Sequence, residues 1–392
     1  GPMLKDTGLG DQVAVYDPET GVRTKPGMQV KRAGPGGKGP MLDPYSTSAM
    51  DHYLAPFTTA LGHLSTLPRA QYHDSFEYRG NWTPVLPEEF ERRRGYALTP
   101  HLDALFTETS ETAARVKYDY RRTLAELHGG VIEQWTAWAH QLGMLTRNEA
   151  HGSPANLLDV YAAADIAETE MFGSPEFPIP GFRHEDRWCR PGDTDPRIGM
   201  LAASAAHVTK PVDRQLVASE SCTWMREHWH GTLAQIKLEM DLFFLSGVNH
   251  VFYHGSCYSP KDAPWPGFYF YASTKADWRN AIWHDMPILN EYLARCQSIL
   301  QSGRHGNDVL VYWPIHDLWM APDGLDQKLA IHNHKWINEQ RIGAVSDLLS
   351  EAGYGFDYVS DRMLGSMVGE GGELVAPGGR YRVLVGPAST YM

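Results

Sequence analysis

Six short stretches alternate apolar with polar positions, or run apolar, in the way strands do: residues 28–34, 69–78, 144–150, 165–172, 215–224 and 248–255. Helical spacing fills the gaps between them. Ser153-Pro154 ahead of ANLLDVYAAA predicts an N-cap followed by proline at the first helical position, with Leu157, Leu158 and Tyr161 on one face. In TLAQIKLEMDLFFLSG, Leu233, Ile236, Met240 and Phe243 recur along one face, and Gly247 supplies the stop. Strand alternating with helix predicts parallel βα units.

Polar residues gather where each predicted strand ends: Asp74 and Glu77, Asn148 and Glu149, Glu168 and Glu170, Ser219 and Glu220, then His254. In a (β/α)8 barrel that rim carries the chemistry. Six strands do not close such a barrel, and residues 1–27 do not read as two further units. The expectation is an incomplete TIM-type barrel over residues 1–300, holding strands three to eight. From residue 301 the pattern restarts with NDVLVYWPIHDLW, a helix around 334–352, GFDYVSD and YRVLVGP. This predicts the start of a flavodoxin-like or Rossmann-like α/β domain over 301–392. The chain is expected to be cut from a longer protein at both ends.

Composition narrows the partners. With 42% hydrophobic and 21% charged residues the chain reads as globular, and a formal charge of −12 argues against nucleic acid or an anionic membrane surface. No apolar run is long enough to span a bilayer. The 12 Trp and 19 Tyr suit stacking on sugars as well as core packing. Cys189, Cys222, Cys257 and Cys296 show no metal-knuckle or disulfide-framework spacing, so buried free thiols are expected.

Counting backwards from 248–255 as the eighth strand places Glu77 at the end of the fourth and Glu220 at the end of the seventh. Glycoside hydrolysis needs two carboxyl groups, one to protonate the leaving oxygen and one on the opposite face of the sugar. Glu227, His228 and His230 in REHWHGT invite a zinc reading, but the spacing is wrong for an HExxH helix. Trp82, Trp224 and Trp265 near strand ends could stack on a ring or pack in the core.

The stretches VKRAGPGG, DSFEYRGNWTP, RNEAHGSPANLLDVYAAADIAETE, SESCTWMREHW, LFFLSGVNHVFYHGSCYSP and NDVLVYWPIHDLW resemble glycoside hydrolase family 106, the α-L-rhamnosidases, across residues 28–390. The resemblance implies inverting hydrolysis of terminal α-L-rhamnosyl residues, with Glu77 as acid, Glu220 as base and Asp74 as helper. It further implies a calcium ion touching the sugar hydroxyls, for which Glu168 and Glu170 are the expected ligands. Asn148, Glu149, His151, Trp224 and His254 are expected to meet the substrate. Members are much longer, so the parts missing on either side become partners of this chain. Two alternatives stand beside this reading: an inactive carbohydrate-binding fragment, and a retaining β-galactosidase-like glycosidase. The compartment is not fixed, a periplasmic or secreted parent being favoured over a cytoplasmic one.

Overall fold

The computed structural model describes residues 12–16 and 23–30 as backbone, and 41–78, 80–106, 110–174, 194–224, 229–268, 270, 272–323 and 327–391 in full. Cys189, Glu227 and His228 lie outside the described residues; Cys222 is a buried free thiol, as expected, whereas the Cys257 and Cys296 thiols are half-buried. Among the described residues no helix is long and apolar enough to cross a membrane.

The first two strands, β1 (Gln12–Tyr16) and β2 (Arg23–Val30), pair antiparallel in a ladder of their own. The stretch 28–34, expected as a barrel strand, therefore places its described residues in β2. It does not join the parallel sheet. Helix α1 (Thr47–Leu61) follows, its first turn capped by the Ser46 hydroxyl accepting from the Ala49 amide.

Five strands then form one parallel sheet in chain order: β3 (Ala70–His73), β4 (Leu145–Glu149), β5 (Ile166–Glu170), β6 (Val217–Ser221) and β7 (His250–Tyr253). The sheet curls into a half-barrel. Its connections are α2 (Leu86–Arg94) with the 31-residue α3 (Glu111–Gln141), then α4 (Leu157–Ala163), α5 (Pro196–Thr209) and α6 (Leu233–Leu245). α4 begins later than Ser153-Pro154 suggests. Asn156 is its cap, accepting from the Leu158 amide, while the Ser153 hydroxyl closes a local turn on the Ala155 amide. Leu157, Leu158 and Tyr161 are fully buried, as their spacing requires. α6 opens with a reciprocal capping box between Thr232 and Gln235 and buries Ile236, Met240 and Phe243.

After α7 (Met286–Ser302), a second parallel sheet forms from β8 (Val309–Tyr312) and β9 (Phe356–Val359), with a third strand added near the C-terminus. The expected helix around 334–352 is broken into α9 (Lys335–Asn338) and α10 (Arg341–Glu351), preceded by α8 (Ile315–Met320) after β8. Beyond α11 (Asp361–Ser366), a small antiparallel ladder of β10 (Val368–Glu370), β11 (Glu373–Val375) and β12 (Arg380–Tyr381) leads into β13 (Val383–Val385), which pairs with β8.

Helix α5 binds the two sheets together. It packs on both β5 and β9, and its Ser204 hydroxyl accepts from the Tyr358 amide at 2.8 Å. Buried side chains from the half-barrel and the second sheet form one continuous cluster, from Met50 through Met240 to Tyr381.

Candidate active site

Strand alternation sorts the rim. Residues two apart share a face, so Tyr72 and Asp74, Arg147 and Glu149, Glu168 and Glu170, Glu220, and Phe252 with His254 all project to the concave side. The register brings them level: Tyr72 lies opposite Arg147, Glu149 opposite Glu168, Glu170 opposite Glu220, and Glu220 opposite Phe252.

Tyr72 stands at the centre. Its hydroxyl lies 3.1 Å from Glu149 Oε2, 3.2 Å from Glu220 Oε2 and 3.3 Å from Asp74 Oδ1. One hydroxyl proton cannot serve three acceptors at once, so these carboxyls crowd closer than a single donor can satisfy. Arg147 fills the floor, its guanidinium over the Tyr72 ring at 4.2 Å and the Phe252 ring at 3.7 Å. It also sits 2.8 Å from Glu168 Oε2, as an ion pair without the alignment of a hydrogen bond.

His151 separates two acids: Nδ1 lies 3.3 Å from Glu149 Oε1 and Nε2 lies 3.3 Å from Glu170 Oε2. Glu220 accepts from the Thr223 hydroxyl at 2.9 Å and has His254 Nδ1 at 3.5 Å. Thr223 is aimed by a tight turn after β6. There Cys222 takes φ 68°, a left-handed conformation costly for a side-chain-bearing residue. The Cys222 amide donating to buried Glu239 Oε1 on α6 at 2.8 Å holds it in place.

Burial and mutual repulsion set the charge state. Burial pushes the Glu149 carboxyl well above its usual range, and Glu170, Glu220, Glu168 and Asp74 add to the rise. Glu168 is pushed up to about 8 by burial, with Arg147 opposing. Glu170 is pushed up to about 7 by burial against the Thr223 hydroxyl and His332. Glu220 reaches about 7, through burial and then the charge of Glu170. Burial lowers His151 to about 4, so its ring is neutral at pH 7 and does not compensate the acids.

Glu77 projects from the loop after β3 and is exposed, within electrostatic range of His151. That loop is pinned where the Phe76 amide donates to the His151 carbonyl at 2.9 Å. Gly152 permits the approach, since at φ 83° a Cβ would meet the Phe76 carbonyl oxygen at 2.6 Å.

Asp74, Glu149, His151, Glu168, Glu170, Glu220 and His254 are thus gathered at one rim. Asn148 is not, because it faces the helices, its Oδ1 2.9 Å from His73 Nδ1 and its amide reaching the Val160 carbonyl. Trp224 is fully buried and offers no open face; Trp82 packs beside the smaller core cluster, and Trp265 is 68% exposed. Sequence reasoning missed Tyr72, Arg147, Thr223 and His332. The first two were available from alternation, each lying two residues before a predicted site acid. His332 comes from a segment 162 positions after Glu170, and no local pattern connects them.

Two overlapping groups could hold a cation: Asp74, Glu149 and Glu220, and Glu149, His151 and Glu170, with candidate ligand atoms within 4.8 Å of one another in each. The first offers only oxygen, as a hard cation requires; the second includes a nitrogen. Glu149 belongs to both, and its buried Oε1 has no hydrogen-bond partner.

The sequence profile of the α-L-rhamnosidase family matches residues 26–392. Among solved structures, a rhamnosidase from Novosphingobium sp. PP1Y superposes with a TM-score of 0.67 at 25% identity, over 92% of this chain and 33% of that one. A protein of Formosa agariphila named as a candidate β-glucuronidase is 26% identical over 386 residues, 94% of this chain and 29% of its own length. A β-galactosidase from the psychrophilic Marinomonas ef1 shares the fold at 13% identity with a TM-score of 0.58, over 97% of this chain and 60% of its own. The chain spans about a third of the length of the rhamnosidase and of the Formosa protein.

Proposed function

Because the chain belongs to the α-L-rhamnosidases of glycoside hydrolase family 106, we propose that its acidic rim is the active site of an enzyme hydrolysing terminal α-L-rhamnosyl residues with inversion. The supporting observation is the constellation of Asp74, Glu149 and Glu220 around the Tyr72 hydroxyl, at the C-terminal ends of adjacent parallel strands. In this reading the half-barrel is strands three to eight's worth of a TIM barrel less the stretch that forms β2, completed by the rest of a longer protein.

Glu77, on its exposed loop, donates a proton to the glycosidic oxygen as the bond to the anomeric carbon breaks. Water attacks that carbon from the opposite face, and Glu220 accepts the water's proton. Thr223 orients the Glu220 carboxylate by donating to Oε1, leaving Oε2 toward the acid cluster. Asp74, three residues before Glu77, adds a carboxyl to the rim beside Tyr72. His151 and His254 present ring nitrogens to the sugar hydroxyls beside Glu149 and Glu220.

The donor set fits calcium, since Asp74, Glu149 and Glu220 converge as oxygens and Glu149 carries a buried, unpartnered one. When bound, the ion would polarise sugar hydroxyls and hold neighbouring carboxyls ionised, including Glu220. Glu170 can join through the Glu149 side, whereas Glu168 is committed to Arg147.

Two measurements on the longer parent protein test this. Proton NMR of a fresh digest of an α-L-rhamnoside is expected to show β-L-rhamnose first; early release of the α anomer overturns the roles of both carboxylates. Glu220→Gln is expected to lower kcat/KM by about 10²–10⁴-fold for all substrates. Glu77→Gln is expected to do so for poor leaving groups and far less for activated aryl rhamnosides.

A further inference from the structure

At the other end of the half-barrel, a cavity of about 240 Å³ opens beside α5 and α7. Gln215 and Leu216, just before β6, and Asn249, just before β7, line it, so it lies at the N-terminal edge of the sheet that carries the acids at its C-terminal edge. His207, near the end of α5, and His305, ahead of β8, also face it.

These two histidines converge on Asp357 in β9. His207 Nδ1 is 2.8 Å from Asp357 Oδ1, and His305 Nδ1 is 3.3 Å from Asp357 Oδ2. The rings stack with centroids 4.2 Å apart and planes within 9°. One candidate ligand atom from each of the three residues lies within 4.8 Å of the others. The carboxylate is braced from behind by the Tyr381 hydroxyl, donating to Oδ2 at 3.0 Å, the kind of outer support that orients metal ligands. The independent sign is His305. Its side chain is 9% exposed, yet neither buried ring nitrogen makes a hydrogen bond of good geometry, although the Gly378 carbonyl lies against it. A buried ring whose two nitrogens both lack a well-formed hydrogen bond is uncommon.

We propose that His207, His305 and Asp357 form a second metal site, separate from the acidic rim, for a borderline divalent cation such as Zn²⁺. Two imidazoles and one carboxylate suit that class over calcium or magnesium. Ligand atoms of a tetrahedral zinc site stand about 3.3 Å apart, given bonds of about 2.0–2.1 Å. The two histidines approach different oxygens of Asp357, at 2.8 Å and 3.3 Å, and the stacked rings must tilt out of parallel for their in-plane lone pairs to meet on one ion. The cavity side leaves a fourth position for water or a small anionic ligand, with Arg304 in its lining. The metal would tie α5 to β9, hence the half-barrel to the second sheet.

The test uses the full chain, stripped with EDTA and dialysed. Calorimetric titration with Zn²⁺ is expected to show one saturable equivalent, and Co²⁺ is expected to give the intense visible bands of a low-coordinate site. X-ray absorption of the Zn²⁺ form is expected to count two imidazoles, which separates this site from the Glu149, His151 and Glu170 group with its single histidine. Changing a residue that merely supports a metal ligand costs about 10–100-fold in affinity, so His305→Gln, which removes a ligand, is expected to weaken binding by about a hundredfold or more. Glu170→Gln should leave it unchanged. Absence of saturable binding, a count of one imidazole, or wild-type affinity in His305→Gln overturns the proposal. Should His305→Gln fail to fold, the imidazole count on the unaltered chain decides.

Discussion

Glu149 and Asp357 are each 1% exposed, and each sits on a parallel strand among other ionisable groups. Their carboxyls move in opposite directions. Burial raises Glu149 and four further acids push it higher. Burial alone would raise Asp357 as well, but His207, His305 and Asn307 together hold it below the ordinary aspartate value. Burial therefore does not determine whether an interior acid is charged; its neighbours do. One pole of the molecule neutralises its acid with built-in donors. The other concentrates acids around one shared tyrosine proton and one arginine, an arrangement that favours an added cation or a transferable proton over stability.

The largest effect expected from this contrast comes from breaking the compensated pole. Asp357→Ala leaves the His207 ring and the Tyr381 hydroxyl without their acceptor and the His305 ring without its charge partner. Removing one partner of a buried charged cluster costs about 3–5 kcal/mol. Urea unfolding should register that loss, and a loss under about 1 kcal/mol would show that the link between α5 and β9 carries little weight.

pH should separate the two poles next. Carboxyls raised from 4.5 to about 7 in Glu170 and Glu220, and to about 8 in Glu168, favour the fold while protonated. Their contribution is complete below about pH 4.5 and is lost as pH rises through 7 to 8. Asp357 has the opposite sign, since its contribution is present at neutral pH and lost only in acid. The cation-free chain should therefore be most stable near pH 5 and lose on the order of several kcal/mol by pH 8.5. Millimolar Ca²⁺ should recover most of the loss at pH 8 and nothing at pH 5. A flat melting profile from pH 5 to 8.5 in EDTA would mean that the acids do not repel as described.

A single residue sharpens the same contrast. Glu149→Gln keeps the shape and removes a carboxyl that in the fold must either hold its proton or repel its neighbours while the unfolded chain ionises it freely, so at pH 8 without cations it should gain about 2 kcal/mol. The response to Ca²⁺ should fall with it, because Glu149 belongs to both candidate cation groups of the acidic rim. Equal calcium stabilisation in the variant would remove Glu149 from the site.

Much of this was legible in the chain, and the limits have physical causes. Five of the six expected strands align in register because their patterns are local: each is four or five residues long and bounded by helix signals. Residues 28–34 read equally well as a strand, but whether a strand pairs parallel in a sheet or antiparallel with its neighbour depends on distant partners. The rim acids were found because polar residues gather where the predicted strands end, and alternation fixes which of them share a face once the strand is known. Asn148 was misjudged against that same rule, since it is one residue from Glu149 and so must point away from it. His332 and the grouping of His207, His305 and Asp357 are invisible to periodicity, being made by loops and helices meeting across long separations.

The smallest effects set Tyr72 against Asn148, near neighbours on opposite faces of β3 and β4. Asn148→Ala removes one neutral contact with His73 and a long one with Val160, and about 1 kcal/mol of stability should go with it, equally at pH 5 and pH 8. KM in the parent protein should not move, because the side chain faces the helices. Tyr72→Phe removes the one proton that Asp74, Glu149 and Glu220 share. That proton matters when Glu149 and Glu220 are ionised and hardly at all when they carry their own. The cost should therefore be near zero at pH 5 and about 1–2 kcal/mol at pH 8, since hydrogen bonds to charged groups exceed neutral ones. Melting curves of both variants at the two pH values, recorded in EDTA, make the comparison. If Tyr72→Phe costs the same at pH 5 as at pH 8, the hydroxyl is a packing element and the acids are held apart by something else.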